Sequence, residues 1–149
     1  MNIKKQLYKL CEAFVNKRQQ TVENIILSNQ KALQSETKSS AGDKHETGRA
    51  MLQLEMEKAG QQLANINQMK DVLAKMIASK SSKIAHLGSV IITNKNNYFL
   101  SVSAGKLTVS KIDYFAISTN SPIGKLLLGK KENESIIWNG NEMIIEEIS

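Results

Sequence analysis

The chain of 149 residues has a single cysteine, a single proline, few aromatic residues and no apolar run approaching the ~20 residues that a membrane-spanning helix needs. With one thiol, Cys11, no intrachain disulfide can form, which agrees with a reducing compartment. The opening residues Met1-Asn2-Ile3-Lys4-Lys5-Gln6 contain no apolar core of the signal-peptide kind, so a cytoplasmic location is expected by default. There is no HExxH, no paired CxxC, no Walker loop and no GxSxG. A self-contained active site is therefore not expected. Internal repeats and low-complexity tracts are also missing. What remains is the composition of a folded protein, 41% hydrophobic and 23% charged. The length suits one ordinary domain, or an elongated element with a small domain behind it.

Charge is distributed unevenly. Residues 1–84 hold 14 Lys/Arg against 8 Asp/Glu, a net +6, whereas residues 85–149 hold 6 of each and are neutral. A basic first half suits an anionic partner such as nucleic acid or an acidic protein channel. A solubilising helix surface accounts for the same excess.

The hydrophobic period divides the chain at the same place. From Ile3 to about Lys38, Ile3, Leu7, Leu10 and Phe14 recur at helical spacing, and Val22, Ile25, Ile26 and Leu33 continue the stripe without Gly or Pro. In the second run Leu52, Met56, Ala59, Leu63, Ile66, Leu73 and Ile77 keep a 4-3 repeat, interrupted where Lys70 takes a seam position. That is the heptad pattern of a coiled coil. Each helix should be ~50 Å long at 1.5 Å per residue. The turn-forming stretch Ser39-Ser40-Ala41-Gly42-Asp43 between them predicts an antiparallel hairpin over residues 1–80, with its tip near 39–47. The seam is aliphatic and a two-helix rod has no deep core, so its outer faces should stay wet.

Ser79-Lys80-Ser81-Ser82-Lys83 reads as a linker, and beyond it the pattern alternates. Strands are expected at Leu87–Thr93, Asn97–Ser103, Lys106–Ser110, Ile112–Ser118, Ser135–Trp138 and Glu142–Ile148. Asn94-Lys95-Asn96, Ala104-Gly105 and Asn139-Gly140-Asn141 supply turn signals, Asn-Gly being a strong hairpin signal. A short helix should start with Ser121 as its cap and Pro122 in its first turn, and stop near Gly129. The fold class is thus α+β: a long helical hairpin followed by a small, mostly antiparallel β-rich domain over residues 84–149.

Chemistry-bearing residues concentrate at the tip, Gly42-Asp43-Lys44-His45-Glu46-Thr47. Asp43 and Glu46 are three apart and share one helix face. Two carboxylates so placed can share a hard divalent cation. They also resemble a capping box, with Asp43 accepting from the Glu46 backbone N–H. The readings are compatible, because a carboxylate has more acceptor sites than a cap uses. The helix dipole disfavours a cation beside the N-terminus, so Mg²⁺ should bind weakly unless a partner adds ligands. His45 is expected to be a solvated tip residue and Cys11 a buried, inert thiol.

Two segments together resemble the Gre transcript-cleavage factors of bacterial RNA polymerase. Gly42-Asp43-x-x-Glu46 is similar to the family's tip motif, and Ser121-Pro122-Ile123-Gly124-Lys125-Leu126-Leu127-Leu128-Gly129-Lys130 to its SPIG-x-ALLGK segment. The resemblance implies an FKBP-like C-terminal domain that docks at the rim of the polymerase secondary channel, through a segment that here includes Ser121, Pro122, Ile123 and Gly124. It implies a coiled coil reaching the catalytic centre, where Asp43 and Glu46 would share a Mg²⁺ with the polymerase during hydrolysis of backtracked RNA. Lys38, Lys44 and Arg49 become candidates for RNA phosphate contacts.

The tip departs from the family pattern. His45 replaces the usual Lys, Thr47 the usual Asn, and Gly48-Arg49-Ala50 an Ala-Glu-Tyr-like run. A channel-binding regulator that does not promote cleavage therefore stands as an alternative, as does a coiled-coil interaction or nucleic-acid-binding module.

Overall fold

A computed structural model describes residues 2–38, 42–77 and 79–149, with side chains at 2–35, 47–77 and 79–149. Two long helices, α1 (Ile3–Lys38) and α2 (Gly42–Ile77), precede six strands and one short helix. The strands are β1 (Val90–Thr93), β2 (Asn97–Ser101), β3 (Gly105–Val109), β4 (Ile112–Ser118), β5 (Ser135–Trp138) and β6 (Asn141–Ile148), with α3 (Pro122–Leu127) between β4 and β5. The architecture is α+β. No described helix is long and apolar enough to cross a membrane.

Contacts group the chain into two compact units: Met1–Phe14 with Met69–Ser149, and Val15–Gln68. The described residues of the second unit are all helical. Val15, Val22 and Asn29 on one helix and Ala59 and Ile66 on the other are buried there. Their seven-residue spacing is the period of a coiled-coil seam. Asn29 is a polar intruder in this seam: it is 6% exposed and its Nδ2 has no hydrogen-bond partner.

In the first unit the sheet has the order β3-β4-β2-β1-β6-β5. All pairings are antiparallel except β2 with β4, which is parallel, so the sheet is mixed. One face packs on α3. Ile91, Tyr98, Leu100, Ile136, Met143 and Ile145 surround Ile123 and Leu127 there, and Phe115 and Ile117 close the edge of the core. The opposite face receives the base of the helices: Cys11 Sγ lies 3.2 Å from Ser101 Oγ on β2.

This second cover changes the expected helix faces. Leu7 and Cys11, spaced by four, are buried, while Ile3 and Leu10 remain more than a third exposed. At the end of α2 Met76 is buried and Ile77 is 72% exposed, which reverses the expected seam assignment. The heptad describes a helix facing another helix, but the last turns of α2 and the first of α1 meet a sheet.

The strands also differ in detail from the expected boundaries. β1 begins at Val90 rather than Leu87, because Gly88 adopts φ +96°, which an extended strand does not allow. β2 ends at Ser101, where its parallel pairing with Ser118 ends. Ser110 and Lys111 both have positive φ and form the two-residue turn joining β3 to β4, with Val109 opposite Ile112. Neither residue type announces that turn. Asn139-Gly140, also at positive φ, joins β5 to β6 as the sequence indicates.

The segment after α2 is tied to the sheet domain. Ser79 Oγ donates to the Met76 carbonyl at 2.8 Å, closing the last helical turn. The His86 ring holds this segment through Nε2, 2.8 Å from the Lys80 carbonyl. Ile84 makes an antiparallel bridge to Lys131.

Candidate functional site

The acidic pair belongs to the first turns of α2. The helix starts at Gly42, so Asp43 is its second residue and Glu46 lies three further on, on the same face of the backbone. The side chains of Lys38, Asp43, Lys44, His45 and Glu46 lie outside the described residues. Beyond them the Arg49 side chain is exposed, three residues past Glu46 and therefore near its face of the helix. Among the described residues no group of three or more His, Cys, Asp or Glu could hold a metal. The donor chemistry of the tip suits Mg²⁺, since both candidates offer carboxylate oxygen. Two carboxylates would leave the remaining positions of a six-coordinate ion to water or to other ligands.

The second candidate region is the start of α3, and its structure is well determined by its sequence. Ser121 caps the helix: its Oγ accepts the Gly124 N–H at 3.1 Å and donates to the Ser118 carbonyl at 2.6 Å. Pro122 occupies the first turn, where no backbone donor is needed, and it is exposed. Ile123 is 8% exposed and belongs to the core beneath α3. Gly124 is buried, and a Cβ there would fall 2.1 Å from the Ser118 carbonyl oxygen. Three of the four residues singled out thus shape the cap and the core, with Ser121 half-buried and Pro122 exposed. Beside it Lys125, Leu126 and Leu128 are exposed, the two leucines by more than a third. None of these three is among the docking residues that the resemblance singles out, Ser121 to Gly124.

Cys11 is fully buried, and burial pushes its thiol up from the usual range. Hydrogen bonds from Ser101 and the Val102 backbone oppose that shift and are outweighed. A thiol held in its neutral form is a poor nucleophile, in keeping with a packing role.

The base of α1 carries a polar group that no sequence pattern marks. Lys4, Lys5 and Tyr8 look like ordinary helix surface, and only the fold brings Ser81 and Phe99 beside them.

Comparison with models of known protein families gives no match, and comparison with curated proteins gives none either.

Proposed function

We propose that this chain is a Gre-type elongation factor. In this reading α1 and α2 form an antiparallel coiled-coil hairpin that enters the secondary channel of bacterial RNA polymerase, and the sheet domain is the FKBP-like docking module. The factor stimulates the polymerase's own cleavage of backtracked RNA.

The observation that carries this reading is the joint occurrence of two segments in the order and spacing the family uses. One is Gly42-Asp43-x-x-Glu46, at the start of the second of two long helices. The other is Ser121–Lys130, folded as a capped helix on a small sheet. Contact with the polymerase is assigned to the exposed residues of that segment, Pro122, Leu126 and Leu128 with Lys125. Ser121, Ile123 and Gly124 hold the segment in shape.

Asp43 and Glu46 would hold Mg²⁺ together with ligands from the polymerase and orient the attacking water. The ion supplies charge stabilisation at the phosphodiester and makes water a better nucleophile. Lys38, Lys44 and Arg49 would offer cations to the displaced RNA backbone.

The test uses purified backtracked elongation complexes. Added protein should shorten the RNA from its 3′ end. Asp43→Asn combined with Glu46→Gln should abolish shortening while polymerase binding persists. The altered tip residues His45, Thr47 and Arg49 favour a second reading, a channel-binding regulator. Binding that slows synthesis without shortening RNA would establish that alternative. A protein that fails to compete with another secondary-channel factor for polymerase would be an unrelated interaction module.

A further inference from the structure

Within the unit that contains the sheet, the first turns of α1 and the last turn of α2 border a groove of about 280 Å³. Tyr8, Met76 and Ile77 give it apolar walls, with Phe99 buried behind them. Its polar lining includes Asn2, Lys4, Lys5 and Ser81 and no carboxylate. A larger cavity of about 620 Å³ adjoins it, sharing Asn2, Lys4 and Ser81, and Glu147 is the acidic residue on that side.

The hydrogen bonding leaves this groove rich in donors. The Asn2 Oδ1 already accepts the Lys5 N–H at 3.3 Å, which leaves its amide NH₂. Neither Lys4 nor Lys5 forms an ion pair with another described residue. Lys4 is partly withdrawn from water, and this burial lowers the pKa of its amine because no carboxylate compensates. The Tyr8 hydroxyl is shifted upward by burial and then by the charge of Glu12, so it stays a donor. A desolvated ammonium without a counter-ion gains from an incoming anion. The adjacent apolar walls offer a ring the contact that bare phosphate lacks. The volume lies near the lower end of ordinary ligand clefts, about 300 Å³, which limits the ligand to a small molecule.

We propose that this groove binds a small aromatic oxyanion, its charged head held by Lys4 and Lys5 and its ring laid against Tyr8, Met76 and Ile77. The proposal is independent of the elongation-factor reading, and either can fail without the other.

Amide-detected NMR of the full chain tests it with four probes: phenyl phosphate, benzoate, benzyl alcohol and inorganic phosphate. Phenyl phosphate, benzoate or both should shift the Ser79, Ser81 and Gly88 amides in a saturable way. Benzyl alcohol and inorganic phosphate should bind at least about tenfold more weakly, since each lacks half of the recognised chemistry. Phenyl phosphate and benzoate together tell a phosphate head from a carboxylate head. Lys4→Gln should weaken binding about tenfold without unfolding the chain, and Lys5→Gln provides a second, more exposed variant with the same direction. An equal response to benzyl alcohol would reduce the groove to an apolar patch, and an equal response to inorganic phosphate would remove the ring contact. Absence of saturable shifts at these amides, or unchanged binding in both lysine variants, overturns the proposal.

Discussion

Gly124 illustrates how tightly single residues are specified around α3. The close approach of the Ser118 carbonyl leaves no room for a side chain, and the Ser121 hydroxyl lies 2.8 Å from the same Cβ position. Both obstacles belong to the cap itself, so neither can move without losing a hydrogen bond. Gly124→Ala should destabilise the sheet domain by about 3 kcal/mol, at the upper end for overpacked sites. Ser121→Ala, which removes the cap alone, should lose only about 1 kcal/mol. Urea denaturation followed by Trp138 fluorescence would rank the two, and equal losses would show that the cap rather than the crowding dominates. The cap and the first-turn proline were readable in the sequence, because Ser-Pro before an apolar run has a local physical meaning. The reason for the glycine was not, since the carbonyl that excludes a side chain arrives from the end of β4.

At the scale of elements, the two long helices follow from periodicity, but the faces they bury depend on what covers them. Val15, Val22 and Asn29, and Ala59, Ile66 and Leu73, keep the seven-residue period. Nearer the sheet, Leu7 and Cys11 follow a four-residue spacing, and Ile77 yields to Met76. Asn29 breaks the apolar pattern at a seam position, with an amide whose NH₂ is buried and unpartnered. A buried unsatisfied polar group is destabilising by about 1–3 kcal/mol. Asn29→Leu should therefore raise the thermal midpoint of the helical unit, measured by circular dichroism at 222 nm. A fall in that midpoint would mean that the amide is satisfied by bound water. Because a seam asparagine can specify register and oligomeric state, the same variant should be examined by light scattering for a gain of dimers. The sheet elements were legible as well, apart from the Ser110-Lys111 turn. Its left-handed residues are not of the types that favour such a conformation, so the register of the strands sets it.

At the scale of the whole molecule, charge and chemistry are separated along the chain. The net +6 lies in residues 1–84, while the sheet half is neutral overall. On the elongation-factor reading, association with backtracked complexes should be strongly salt-dependent. Raising KCl from about 50 to about 200 mM should weaken binding at least about tenfold, because basic groups release counterions from the nucleic acid they meet. Fluorescence anisotropy of the labelled protein against elongation complexes measures this. A flat salt profile would assign the contact to the neutral sheet half and its apolar residues near Pro122.

The sequence alone determined the local features of this protein. They are two long helices, a switch to strand periodicity beyond residue 84, a serine-capped short helix and an Asn-Gly hairpin. Each depends on interactions between residues close in the chain, where periodicity and backbone preference act directly. Asp43 and Glu46 share a helix face for the same local reason. Only the tertiary structure decided that β2 and β4 run parallel, that Cys11 meets Ser101, and that Ile123 and Gly124 are interior rather than surface. It also set Lys4, Lys5 and Tyr8 beside Ser81 and Phe99. Those arrangements join residues some 75 to 95 positions apart in the extreme cases. No short-range pattern encodes such pairings, because they arise from which faces remain uncovered once the local elements have formed.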